Sequence, residues 1–221
     1  MKTLLLLAIL LVGFTFTAQA QHEYAPLLEK EINYKDWTYK SIRDGKDVNL
    51  RQITATKKLV LVVYFAPWCP NWKLQAPVAE ALYEKYKDKG LEIVAVGEYD
   101  TVDVMKASLD TFKITFPAVY ESEARTAKQQ TLHYEYRKLT GDTRNWGSPW
   151  SIFIEPATLE KKGDVLVKKA TIVNGELMEA ETETFIREKL GLPKEEKKTQ
   201  SAEKKTAEVC EPTTTTLQKP R

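Results

Sequence analysis

Two unbroken apolar runs set the architecture of the chain. Leu59-Val60-Leu61-Val62-Val63-Tyr64-Phe65 is β-branched, aromatic and of strand length, which predicts a strand buried on both faces of a sheet. Leu91-Glu92-Ile93-Val94-Ala95-Val96 predicts a second one. Between them Val78, Ala79, Leu82 and Tyr86 recur at helical spacing, and Gly90 supplies a C-cap for a helix running to about Lys89. Residues 102–113 predict another helix, with Val104, Leu109 and Phe112 inward. Residues 37–50, folded about Asp44-Gly45, predict a β-hairpin, with 21–36 as a lead-in. Past Phe116-Pro117 the pattern predicts a helix over 124–139 and a loop over 141–147. Strands over 151–154 and 165–173 follow, joined through Lys162-Gly163-Asp164. An amphipathic helix over 180–190 closes the domain, with Phe185, Ile186 and Leu190 on one side. Alternating strands and helices followed by a terminal hairpin and helix define an α/β sandwich around a mixed sheet.

The two ends carry other patterns. Lys2, the apolar stretch 4–16 and the small residues of Ala18-Gln19-Ala20 read as a cleavable secretory signal, cut after Ala20. The stretch is short for a membrane span, so the expected destination is extracytoplasmic, periplasmic or secreted, with no membrane attachment after cleavage. Residues 193–221 hold Lys194-Glu195-Glu196-Lys197-Lys198 and four threonines over 213–216, with almost no large apolar residue. Such a segment buries too little surface to offset its ordering entropy and reads as a disordered polar tail.

Charge then narrows the function. Lys and Arg number 33 against 31 Asp and Glu, a net charge of +2, so nothing electrostatic points to nucleic acid. Two cysteines are too few for a disulfide-stapled scaffold or an all-cysteine zinc site. His22 and His133 lie far apart with no metal-ligand spacing, His133 reading as a surface or core residue. No phosphate loop or nucleophile elbow occurs, and no cofactor or metal is implied.

The chemistry concentrates in Phe65-Ala66-Pro67-Trp68-Cys69-Pro70-Asn71-Trp72-Lys73-Leu74-Gln75-Ala76-Pro77. A cysteine between a buried strand and a helix meets unpaired N–H groups and the positive end of the helix dipole, which favour a thiolate. Pro70 suits the first helical turn, and Pro77 is expected to kink the helix.

These residues resemble the thioredoxin superfamily, most closely its extracytoplasmic TlpA-like and redoxin (AhpC/TSA-type) branches. Trp68, Cys69, Lys73 and Pro77 fall on that branch's pattern after the strand, and the 37–50 hairpin is similar to its N-terminal hairpin. The resemblance spans about 37–192 and implies a thioredoxin-like sandwich, with helices on both sides of a central mixed sheet. It also implies a cis-proline opposite the cysteine, a position that Gly147-Ser148-Pro149 fits. The departure is at Trp72, which occupies the place of the family's second cysteine; an indole cannot resolve a mixed disulfide. The strand before Cys69 also lacks the buried acid of many thioredoxins, and Gln75 is neutral.

Three functions follow. In the first, Cys69 is a monothiol nucleophile acting on protein or peptide thiols and disulfides, its adduct released by an external reductant thiol. Ser148 and Pro149 dock the substrate as an added strand, flanked by Trp68, Pro70 and Trp72. Lys73 either stabilises the thiolate or is a solvated helix charge. In the second, Cys210 is the resolving thiol, carried back by the tail; the alternative is a stray or intermolecular cysteine. A peroxiredoxin-type peroxidase is less favoured, because Ala66 stands where that family keeps a threonine. In the third, the domain binds peptides without redox turnover, using Trp68, Trp72, Trp146 and Trp150 around the cysteine; the alternative for Trp72 and Trp146 is plain core packing.

Overall fold

A computed structural model of the chain describes residues 21–193. The expected signal (1–20) and the tail from residue 194, with Cys210, lie outside the described residues.

The strands are β1 (Tyr24–Ala25), β2 (Leu28–Lys35), β3 (Thr38–Ser41), β4 (Asp47–Asn49), β5 (Leu59–Phe65), β6 (Leu91–Gly97), β7 (Ala118–Tyr120), β8 (Trp150–Ile154), β9 (Val165–Val173) and β10 (Glu176–Leu177). The helices are α1 (Leu50–Thr54), α2 (Pro70–Tyr86), α3 (Val102–Thr111), α4 (Leu132–Thr140) and α5 (Glu179–Lys189). Eight strands form one mixed sheet in the order β2-β9-β8-β5-β6-β7-β3-β4, while β1 pairs with β10 apart from it. The central pair β5–β6 is parallel, β8 runs antiparallel to β5, and every residue of β5 and β6 is buried. A strand's side chains alternate in direction, so β5 feeds two cores. Leu59, Leu61, Val63 and Phe65 pack with Trp72, Ala76, Leu82, Leu109 and Ile186 on one face. Val60, Val62 and Tyr64 pack with Tyr34, Tyr136, Trp150 and Ile152 on the other.

The two buried strands, the 37–50 hairpin, the 165–173 strand and the closing helix are where the pattern predicts them. Gly45, at φ +69 with open space around it, serves the hairpin turn. Three expectations need correction. The 21–36 lead-in is largely strand: β2 pairs antiparallel with β9 at the sheet edge, burying Ile32 and Tyr34. In α3 the buried side chains are Met105 and Leu109, while Val104 is 43% exposed, a helix rotation the short pattern did not fix. The helix over 124–139 is a 3₁₀ segment Arg125–Gln130 followed by α4, whose start is set by Thr131 Oγ1 accepting from Tyr134 N at 3.1 Å. The helix after Cys69 ends where the pattern predicts: α2 runs through Pro77 to Tyr86, a 3₁₀ turn covers Lys87–Lys89, and Gly90 caps it at φ +109.

Candidate functional site

Cys69 is the N-cap residue of α2, at the carboxyl end of central strand β5. Two hydrogen bonds fix its backbone: its N–H donates to Ala66 O at 3.0 Å, and its carbonyl accepts from Lys73 N at 3.2 Å. The cysteine is free and 7% exposed. Its thiol donates to the Ser148 carbonyl at 3.0 Å. A carbonyl only accepts, so this contact belongs to the protonated thiol. Ser148 is tied in at a second point, its hydroxyl accepting from Ala66 N at 2.8 Å. The Ser148–Pro149 peptide bond is cis. The chain thus brings Cys69, Ser148 and Pro149 together from segments eighty residues apart in sequence through the β5–β8 pairing.

The surroundings differ from the expected ring of four indoles. Trp72 is fully buried, packed on Phe65 at 4.4 Å with its N–H donated to Ser108 Oγ at 3.1 Å. Trp150 is also fully buried, in the core on the opposite face of the sheet. Neither presents a surface to a substrate. Pro149 and the Ser148 side chain are buried too, and the Ser148 carbonyl is taken by the thiol. Trp68 and Trp146 are the partly exposed indoles of the mouth, in edge contact at 5.1 Å. Arg125 lies over the Trp68 ring at 4.4 Å and Lys128 over Trp146 at 4.7 Å. Pro70 is exposed at the helix start. Lys73 is exposed and lines an open cleft of about 350 Å³ with Pro67, Trp68, Val104 and Phe112, rather than the sulfur's hydrogen bond.

Two buried titratable groups stand out: Glu98, which the sequence reading did not single out, and His133, which proves to be the core residue that reading allowed. Glu98 follows β6, its N–H bonded to Phe65 O at 2.9 Å, and is fully buried. One carboxyl oxygen accepts from Ser122 Oγ; the other has no hydrogen-bond partner among the described residues. Burial, and then the neighbouring Glu121, push its pKa well above the carboxylate range, which favours the protonated acid. By strand alternation Glu98 follows Val94 and Val96 onto the face of the sheet opposite the core that holds Cys69. A lone Glu ending an apolar run was the only signal for it. His133 is wholly buried, contacting Tyr99 Oη at 2.9 Å and Gly147 O at 3.2 Å. Burial, and then Arg137, hold its pKa well below the usual value, so it is neutral. With Nε2–H donated to Gly147, Nδ1 accepts from Tyr99. It is a core residue that anchors the loop before Ser148.

That loop is also held by charge. Arg137 Nε donates to Asp142 at 3.0 Å, and Arg144 Nη2 donates to Asp142 at 2.8 Å and to Pro149 O at 2.9 Å. Gly147, at φ +56, lies so close to Arg137 that a Cβ would sit 1.6 Å from its Nε. Among the described residues no cluster of three or more His, Cys, Asp or Glu could hold a metal ion.

A thiol at a strand-to-helix junction, facing a cis-proline loop across a mixed sheet, defines a thioredoxin-like protein. The chain belongs to the AhpC/TSA family, whose model matches residues 33–173. It is 33% identical over 87 residues to the thiol-disulfide oxidoreductase ResA of Oceanobacillus iheyensis, covering 39% of this chain and 45% of that protein. It is 27% identical over 112 residues to ResA of Halalkalibacterium halodurans, covering 50% and 60%. The chain thus spans about half the length of these curated relatives. Among solved structures, MTB dsbF in its mixed oxidized and reduced forms superposes with a TM-score of 0.52 at 17% identity, covering 72% of this chain and 99% of that one. A thiol:disulfide interchange protein of the thioredoxin family from Chlorobium tepidum TLS gives 0.50 at 19%, covering 79% and 100%. These likenesses carry the fold.

Proposed function

We propose that the chain is an exported thiol–disulfide oxidoreductase that works through one site cysteine, Cys69. The observation that carries the reading is the free Cys69 at the N-cap of α2, its sulfur against the carbonyl that precedes cis-Pro149. The names of the ResA relatives support the redox class. Once Cys69 gives up its proton to solvent, the thiolate attacks one sulfur of a protein or peptide disulfide. The new S–S bond forms, the old one breaks, and the departing sulfur leaves as a thiolate. Position 72 is a buried indole, so an external thiol attacks the mixed disulfide and restores Cys69. Export rests on Lys2, the 4–16 apolar stretch and Ala18-Gln19-Ala20. Among the described residues no helix is long and apolar enough to cross a membrane.

The test is adduct formation followed by intact mass. The expected result is a one-to-one mixed disulfide between Cys69 and a small peptide disulfide, stable until glutathione is added. Cys210→Ser should behave alike and Cys69→Ser should form no adduct at this site. No adduct at Cys69 would leave a peptide-binding module. Release that depends on Cys210 would replace the monothiol cycle with a two-cysteine one.

A further inference from the structure

Beside the cysteine mouth lies a cationic pocket. It has a volume of about 240 Å³, and Lys128, Tyr134, Arg137, Lys138 and Arg144 line it with a single carboxylate, Asp142. Asp142 is spent within the wall: its side chain is 1% exposed and pairs with both Arg137 and Arg144. Lys128 and Lys138 have no carboxylate partner among the described residues; Lys128 donates to Asn145 Oδ1 at 2.9 Å. Aromatic rings hold both ammonium groups, Lys128 over Trp146 at 4.7 Å and Lys138 over Tyr134 at 5.3 Å. Arg137 is 2% exposed and its Nη1 has no hydrogen-bond partner. Burial, and then the Arg137 charge, lower the pKa of Lys128, so these cations are crowded against one another. An anion relieves that crowding.

The pocket is joined to the sulfur by a short stretch of chain. Asn145 lines it, Trp146 packs edge-on against Trp68, and Ser148 accepts the Cys69 thiol. Three residues of extended chain span at most roughly 11 Å. A peptide lying along 145–148 therefore reaches from the sulfur to the ammonium groups within about four residues. Resting on the redox reading of Cys69, we propose that Lys128 and Lys138 select protein substrates that carry a carboxylate side chain within about four residues of the reactive cysteine; Arg144 is already taken up by Asp142, Glu23 and Pro149 O.

Short fluorescent peptides with Glu, Gln or Lys four residues from a Cys test this in two arms. In the first, serine replaces the peptide cysteine and binding to the full chain is followed by anisotropy. The Glu peptide should bind about fivefold more tightly than the Gln peptide in about 20 mM salt, with the Lys peptide weakest. The ratio should fall toward one in about 0.5 M salt, and Lys138→Glu, at an exposed position, should reverse it. In the second arm, the cysteine peptides are presented as disulfides and the rate of adduct formation at Cys69 should follow the same order. Equal affinity for Glu and Gln peptides overturns the proposal whatever the reactivity of Cys69. So does inorganic phosphate occupying the pocket while the peptides stay indistinguishable, the mark of a small-anion site. A Glu preference without any adduct upholds the pocket and removes the redox reading.

Discussion

Trp72, three residues after the site cysteine, is a core residue of the domain. Trp72 is fully buried between Phe65 and Ser108. Replacing a buried Trp by Ala removes its transfer free energy and leaves a cavity, which costs about 3–5 kcal/mol. Trp72→Ala should lower the urea midpoint accordingly, and a loss under about 1 kcal/mol would show that the indole is not packed as described. The site was legible in the sequence where chain-local features specify it. Cys69 and Pro70 mark a strand-to-helix junction, and Gly147-Ser148-Pro149 precedes a strand. It was illegible where burial decides. Nothing in one sequence tells a Trp at a mouth from a Trp under it, so Trp72 was left between mouth and core, and Trp150 was expected on a surface it does not reach. Glu98 was missed for the same reason, and His133 was left between surface and core, since only the fold reveals how dry their surroundings are.

Among elements, the best predicted are those with one unambiguous periodicity. The apolar runs of β5 and β6 allow only a strand buried on both faces, and their sheet position follows. β2 reads Leu-Glu-Lys-Glu-Ile-Asn-Tyr-Lys, and its alternation is masked because an edge strand keeps charges on one side and tolerates Lys30 on the other. The segment most consequential for the site is the loop from α4 to β8. Three separate contacts hold it: His133 on Gly147 O, Arg137 on Asp142, and Arg144 on Pro149 O. Gly147 is the point where they converge. An alanine there must adopt a positive φ and displace the Arg137 guanidinium, whereas alanine at Gly45 meets open space and only the φ penalty. Gly147→Ala should cost more than Gly45→Ala, itself about 1 kcal/mol, and by shifting the loop that covers the 7%-exposed sulfur should also speed alkylation of Cys69 by iodoacetamide. Equal unfolding midpoints for the two variants, with unchanged alkylation, would mean the loop is not clamped on Arg137.

For the whole molecule, Glu98 and His133 shape stability against pH from opposite sides. His133 is held neutral in the fold, while the unfolded chain takes up a proton below about 6.5. Its contribution is therefore full above that pH and is lost as pH falls through it. Glu98 is held protonated in the fold, while the unfolded chain releases its proton above about 4.5. Its contribution is full below that pH and is lost as pH rises toward the folded pKa. Where the two ranges overlap, the two slopes oppose each other. Glu98→Gln keeps a neutral side chain that still accepts from Ser122, and it has no proton to lose in the unfolded chain. Titrations remote from the site are common to variant and parent, so the difference in unfolding free energy reports Glu98 together with its neighbour Glu121. Measured by urea titration at successive pH values, that difference should shift in favour of the variant from pH 5 upward. The slope should be about 1.4 kcal/mol per pH unit until Glu98 ionises within the fold. A difference that stays constant from pH 5 to pH 8 would mean Glu98 is ionised in the native protein, and that its charge is compensated where burial leaves one of its oxygens without a partner.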